Sequence, residues 1–414
     1  MNTNEFEKIS DIVNAIKTPD QAAAGEARKY VDSLVKPPKS MGKLEDIAVK
    51  LAGITGCVKN RVREKEILVF CADNGVTAEG VASAPVSVTM MQAVNMKRGV
   101  TGMAALAKDF GTKVTVVDVG IATDYDGLIK KCDLARSAEG IVYKNVRQGT
   151  GNIVKEPAMT RDECIEAILI GAECAKRTGS CDSQNSGTSG AYAAECAGSG
   201  DDRTAGINLV GIGEMGIGNT TTSTAVLCAL TGADPETVTG RGAGITDESF
   251  DRKKEVIKRA LELHGVTRDE GAFGDSFVTA GFGKVGVETI VRIISKVGGL
   301  DIAAMCGAFI GAAAAGKAAV IDGYISAVAA LCAARICPEV KGYLFPSHVS
   351  KEPGYKLAIK ELGLSPYLDL DMGLGEGSGC VLAFSVIEGT CAMMNNMATF
   401  EEGKIDDSYL EGIR

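Results

Sequence analysis

One pattern constrains this chain more than any other. A short apolar run, rich in β-branched residues, ends in a Gly or Asp loop and gives way to a helical pattern, five times over. The runs are Ile67-Leu-Val-Phe-Cys-Ala-Asp73, Val114-Thr-Val-Val-Asp118, Ile207-Asn-Leu-Val-Gly211, Ala318-Ala-Val-Ile-Asp322 and Gly342-Tyr-Leu-Phe345. Runs that are apolar on both faces and alternate with helices predict buried parallel strands. The expected class is therefore α/β, with a doubly wound, mostly parallel sheet. Such a sheet places its ligand site beyond the carboxyl ends of its strands. Here those ends carry Asp73, Asp118, the glycine-rich segment after Gly211, Asp322 and Ser347-His348.

Residues 1–55 read as helical, punctuated by Pro37-Pro38, and Val381 to Phe400 reads as an apolar helix. These predict a smaller helical domain built from both chain ends, residues 1–60 plus 380–414, beside a large α/β domain at 61–379. Two stretches look inserted. Residues 178–205, rich in Gly, Ser and Asp without apolar period, are expected to be a mobile loop; residues 271–286 are Gly-rich, with Phe277–Phe282 a possible strand.

Composition removes several classes. With 45% hydrophobic and 23% charged residues the chain is globular rather than disordered. Its 51 glycines follow no three-residue period, which excludes collagen. A net charge of −9 disfavours a nucleic-acid partner but leaves room for a small anion held by backbone N–H groups. The 13 cysteines are odd in number and form no C-x-x-C pair, so reduced thiols and a cytoplasmic location are expected. Two histidines leave little to build a zinc site from, and no metal is expected. The N-terminus lacks the pattern of a signal peptide. The apolar stretch from Ile302 to Ile336 is interrupted by Lys317 and Asp322, so no membrane span is expected.

The most informative local feature is Asn208-Leu-Val-Gly-Ile-Gly-Glu-Met-Gly-Ile-Gly-Asn-Thr-Thr-Thr222, read as strand, glycine loop and helix N-terminus. Unpaired N–H groups and the helix dipole favour an anion there. Asn219, Thr220 and Thr221 could cap the helix or touch a phosphate. Gly211, Gly213 and Gly216 spell a G-x-G-x-x-G, which would suit a dinucleotide if an acidic residue ended the next strand. Asp234 has the distance but sits in a helix-start signal, Ala-Asp-Pro-Glu. A single phosphate is the favoured reading, beside a dinucleotide or a plain tight turn.

Other candidates carry their own alternatives. Glu376, in Leu374-Gly-Glu-Gly-Ser-Gly379, is either a base on a closely approaching backbone or a carboxylate satisfying helix donors. Glu214 sits inside the glycine segment, where a carboxylate beside a phosphate is awkward, so it is expected to face another part of the ligand such as a ribose hydroxyl. Gly240-Arg-Gly-Ala-Gly244 with Arg252-Lys253-Lys254 is a second anion contact or a solvated helix face. Ser347, His348 and Ser350 line a site or belong to the core.

Taken in order, the pieces resemble the nicotinate-nucleotide:5,6-dimethylbenzimidazole phosphoribosyltransferase family. The resemblance is carried by Lys36-Pro-Pro-Lys-Ser-Met-Gly-Lys-Leu-Glu45, Ala72-Asp-Asn-Gly-Val76, Val88-Thr-Met-Met-Gln92, Val117-Asp-Val-Gly-Ile121, Arg147-Gln-Gly-Thr-Gly-Asn152 and Glu156-Pro-Ala-Met-Thr160. It continues through Gly213-Glu-Met-Gly-Ile-Gly-Asn-Thr-Thr221, Gly298-Gly-Leu-Asp301, Asp322-Gly-Tyr324, Ser347-His-Val-Ser350, Leu374-Gly-Glu-Gly-Ser-Gly379 and Asn395-Asn-Met-Ala398.

The resemblance implies transfer of phosphoribose from nicotinate mononucleotide to a benzimidazole-type base for the lower ligand of cobalamin, by a homodimer without cofactor. It implies that Glu376 is the general base, that Glu214 and Lys253 serve the active site, and that Gly216, Gly218, Asn219, Thr220 and Thr221 cradle the phosphate with Gly242 and Ser350. Ala84 and Gln92 would belong to the base pocket. Asn74 and Ala84 depart from the family pattern, which carries His and a Ser or Tyr there, so the accepted base is left open. A catalytically inactive relative that binds the donor as a sensor or partner subunit is the alternative.

Overall fold

The computed structural model describes residues 3–123, 140–179, 196–197, 204–266 and 286–410. The insertions expected at 178–205 and 271–286 lie for the most part outside the described residues, as does the possible strand at 277–282.

Seven strands form one sheet: β1 (Lys59–Ala72), β2 (Lys113–Gly120), β3 (Val142–Tyr143), β4 (Cys196–Ala197), β5 (Thr204–Met215), β6 (Ala318–Ile321) and β7 (Leu344–Pro346). Their order is β3-β2-β1-β5-β6-β7, every neighbour pair parallel, with β4 antiparallel against β5. All five apolar runs fall on strands, and the doubly wound, mostly parallel sheet is found. The last run is shortened, because Pro338–Tyr343 is a 3₁₀ turn and pairing starts at Leu344.

β1 and β5 lie side by side at the centre and propagate outward in opposite directions. Their seam is the point where strand order reverses, which opens a crevice at the carboxyl ends. Ile67 pairs with Gly211, Phe70 with Glu214 and Cys71 with Met215, so Asp73 and Gly216 leave the sheet close together, with Glu214 in the last paired stretch of β5.

The core has two layers, one on each face of the sheet. On one face the helices Arg161–Arg177 and Leu300–Ala314 meet backbone to backbone. A Cβ on Gly307 would fall 1.8 Å from the Ile168 carbonyl oxygen, so no larger residue fits. The N-terminal helix Thr3–Asn14 adds Ile9 and Val13 to this layer. On the other face lies the helix Ser378–Asn396, long and apolar enough to cross a membrane. Here Val381, Phe384 and Ile387 are buried against Ile67 and Val69 of β1. Its far end joins the helices Gln21–Ser33 and Lys43–Thr55 in a small cluster of Val31, Leu34, Ala48, Met393 and Met394.

Nine cysteines among the described residues are free thiols, but Cys57 is disulfide-bonded, an exception to the expected reduced state.

Candidate active site

A cleft of about 310 Å³ opens at the carboxyl ends of β5, β6 and β7. It is lined by ten of the twelve residues that the resemblance assigns to the site: Ala84, Gln92, Glu214, Gly216, Gly218, Asn219, Thr220, Gly242, Ser350 and Glu376. Thr221 and Lys253 do not line it. Thr221 is wholly buried in the helix Asn219–Thr231, and Lys253 lies behind the wall.

The glycine segment folds differently from its expected form. β5 does not stop at Gly211 but runs to Met215, so Gly211 and Gly213 are strand residues and the turn is confined to Gly216–Gly218. The reason lies in another loop. A Cβ on Gly213 would stand 2.5 Å from the Gly377 nitrogen, and one on Gly211 would stand 2.7 Å from the Cys380 Cβ. These glycines admit the Leu374–Gly379 loop onto the strand, not a pyrophosphate. Asp234 caps the short helix Pro235–Val238 through the Glu236 nitrogen, as the helix-start reading expects. Both halves of the dinucleotide fingerprint are therefore used for packing.

The loop carrying Glu376 is held from below. Asp322, at the end of β6, accepts the Gly377 N–H at 2.9 Å and the Gly379 N–H at 2.7 Å, capping the helix that starts at Ser378. Glu376 itself therefore does not satisfy that helix. Its φ of 62° lies between Gly375 at 78° and Gly377 at 87°. A left-handed carboxylate residue costs on the order of 1 kcal/mol and is kept where surrounding structure imposes it. Gln92 donates to Glu376 Oε1 at 3.0 Å, while Oε2 is buried with no hydrogen-bond partner. Burial, with the nearby charge of Asp322, raises the Glu376 pKa against the lowering effects of Gln92 and the Thr101 hydroxyl.

Glu214 belongs to a second acidic group. The Asn219 amide donates to Glu214 Oε2, and to Asp301 Oδ2 at 3.0 Å. Asn219 thus bridges two carboxyls rather than offering its side chain to an anion. Burial first, then the Asp301 charge, pushes Glu214 up to about 8; burial raises Asp301 to about 6. With its pKa above 7, Glu214 is mostly neutral at pH 7. The awkwardness of an acid beside a phosphate is thereby removed.

The anion end is built around the N-terminus of the helix Asn219–Thr231. Lys253 Nζ donates to Thr220 Oγ1 at 2.8 Å and to the Gly240 carbonyl at 2.9 Å. Burial lowers its pKa to about 8, so most of the population is charged at neutral pH. Its charge reaches the cleft through the Thr220 hydroxyl. Gly242 turns beside Thr220 with φ 57°, its N–H donating to Glu352 Oε1 at 2.9 Å.

Some participants were not singled out in the sequence. Glu352 lines the cleft, and nothing in its local pattern distinguishes it from a helix-start residue; Tyr324, also in the lining, falls within a family motif that gives it no role. Asp301 sits inside one of the family motifs, but its link to Glu214 spans elements far apart in the chain. Asn74, one of the departures from the family pattern, is buried behind the cleft and accepts from Thr222 Oγ1 at 3.2 Å. Ala84, the other, lines the cleft.

Comparison with known proteins agrees with this arrangement. A family model described as Phosphoribosyltransferase matches residues 16–191 and 190–405. A nicotinate-nucleotide–dimethylbenzimidazole phosphoribosyltransferase of Clostridium perfringens is 45% identical over 406 residues, covering 98% of each chain. One of the same name from Escherichia coli is 38% identical over 401 residues, covering 97% of each. A crystal structure of the Thermus thermophilus protein so named aligns with a TM-score of 0.74 at 32% identity, covering 94% of this chain and 100% of that one.

Proposed function

The chain belongs to the nicotinate-nucleotide–dimethylbenzimidazole phosphoribosyltransferase family, and from that premise we propose that it moves the 5-phosphoribosyl group of nicotinate mononucleotide onto a benzimidazole-type base. The products are nicotinate and the α-ribazole 5′-phosphate nucleotide of the cobalamin lower ligand. The observation that carries this reading is the unpaired Oε2 of Glu376, held in one cleft with a helix N-terminus that suits a phosphate.

The chemistry follows from the donor. Its pyridinium is already a cationic leaving group, and departure neutralises the ring while positive charge develops on the ribose. An azole nitrogen attacks C1′ from the opposite face, so the β donor gives an α product. The attacking ring becomes cationic unless its other N–H loses a proton. Glu376 Oε2 takes that proton, and the raised pKa makes it a stronger base once ionised. Gln92 orients the carboxylate by holding Oε1. The N-terminus of the helix Asn219–Thr231, Ser350 and Thr220 backed by Lys253 hold the phosphate, Gly242 turns beside them with its N–H on Glu352, and neutral Glu214 turns to the ribose. A donor sensor without catalysis would have no use for a strained, unpaired carboxylate over the base pocket.

The test is direct: nicotinate mononucleotide and 5,6-dimethylbenzimidazole are incubated with the protein, and the products are identified by mass spectrometry. Release of nicotinate with formation of the ribazole phosphate is expected; no product above a protein-free control would overturn the reading.

Ala84 gives the base pocket a methyl where relatives offer a hydroxyl. An apolar wall discriminates by only ~1–3 kcal/mol per methylene, so several benzimidazoles should be accepted, with modest preference among them. A competition assay that yields a single nucleotide from mixed benzimidazoles would contradict this. A homodimer in the cytoplasm is part of the same reading, supported by the family resemblance and the acidic charge.

A further inference from the structure

His348 lies at the carboxyl end of β7, wholly buried, and lines the cleft. Its Nε2 has no hydrogen-bond partner. A buried polar atom left unpaired is costly, and in a cleft it points to a missing ligand group.

The opposite face of the ring decides what that group must be. Ser347 Oγ lies 3.1 Å from the Asp322 carbonyl oxygen, which can only accept. The single serine proton is spent there, so Ser347 Oγ must accept from His348 Nδ1, 3.0 Å away. Asp322 Oδ1, at 4.0 Å from the same nitrogen, also favours a proton on that side. The ring is thereby set in the Nδ1–H tautomer, and Nε2 presents a lone pair. Gly323 leaves the approach open: a Cβ there would stand 3.9 Å from Nε2 and 3.7 Å from Ser350 Oγ. Both atoms therefore flank one spot near the anion end.

Taking the donor to be nicotinate mononucleotide, as argued above, few of its groups can meet a lone pair. The phosphate oxygens and the carboxylate are acceptors, and the pyridinium nitrogen carries no hydrogen. Only the ribose 2′- and 3′-hydroxyls can donate. We propose that His348 Nε2 accepts a hydrogen bond from one of these hydroxyls, making His348 a substrate-positioning residue that selects ribose and fixes C1′ for in-line attack. Ser347 and Asp322 act through it by holding its tautomer, and Asp322 at the same time holds the Glu376 loop. One carboxylate thus references both the sugar and the base to a single point.

The experiment compares nicotinate mononucleotide with its 2′-deoxy and 3′-deoxy forms, 5,6-dimethylbenzimidazole being the acceptor, in wild type, His348→Phe and His348→Gln. Wild type should lose about tenfold or more in kcat/KM on one deoxy donor. His348→Phe should lose about as much on the parent donor and cease to distinguish it from that deoxy form. His348→Gln, which retains a side-chain acceptor, should recover part of the discrimination. Full discrimination by a folded His348→Phe would overturn the assignment. So would wild type using both deoxy donors within about twofold of the parent, a result that needs no variant to fold. No product from the parent donor in wild type would bring down the transferase reading and this contact with it, and is distinct from lost discrimination.

Discussion

In the proposed reaction Glu376 is the residue on which the chemistry turns. Its Oε1 is tied to Gln92 and its Oε2 is free, so replacing the acid by an amide preserves shape and removes only the basic lone pair. Glu376→Gln should fold normally and bind nicotinate mononucleotide almost unchanged, yet lose on the order of 10²-fold or more in kcat. Steady-state turnover alongside donor calorimetry checks it; turnover near wild type would remove Glu376 from the role. Glu214 makes a different prediction, about stability. Its pKa is raised in the folded protein to about 8 from an ordinary 4.5, so between those values the folded state holds a proton that the unfolded state has released. Stability from this group is fully present below pH 4.5 and is lost as pH rises through about 8, on the order of a few kcal/mol. In Glu214→Gln that loss disappears. The melting temperature of the variant relative to wild type should climb from pH 5 to about pH 8 and level off above it; a pH-independent difference would contradict the buried proton.

The strands and the two glycine-rich loops differ in how far they could be read from the sequence. Each apolar run identified its strand because burial on both faces leaves a local signature that no distant contact can mask. The loop beginning at Gly211 was misplaced because a glycine in a turn and a glycine in a crowded strand look alike along the chain. What separates them is the Leu374–Gly379 backbone, which arrives from more than a hundred residues away. For the same reason the site residues were legible through motif and resemblance, while Asn219 bridging two acids was not. Gly213→Ala tests the strand reading. The added methyl meets the Gly377 nitrogen at 2.5 Å, so the Glu376 loop must lift. Loss of kcat with little change in the KM for nicotinate mononucleotide is expected, with about 1–3 kcal/mol of destabilisation in a denaturant titration. A rise in the donor KM with kcat unchanged would instead give Gly213 a part in binding the donor.

Across the molecule, the seam between β1 and β5 explains why one cleft gathers residues from every part of the sequence. Strand order reverses there, so loops from both halves of the sheet converge on the same crevice. In the proposed reaction, phosphate binding falls to a helix N-terminus with a buried lysine behind it, and the leaving group brings its own positive charge. Turnover should therefore survive excess EDTA at full rate, measured after exhaustive dialysis; loss on chelation with rescue by Mg²⁺ would contradict the donor chemistry.

The helix that follows Glu376 ends where the chain doubles back on its own beginning. The Val35 nitrogen bonds to the Ala398 carbonyl, and the Phe400 nitrogen to the Ser33 carbonyl. Glu376 reaches Gln92 across 284 positions of sequence. On the ribosome, then, one face of the sheet stays uncovered until the helix Ser378–Asn396 has followed Glu376 out. A chain cut before Glu376 lacks both the cover of β1 and the carboxylate the proposed reaction needs, so fold and activity are completed by the same segment. A fragment library cut from the C-terminus would lose catalysis in one step rather than by degrees.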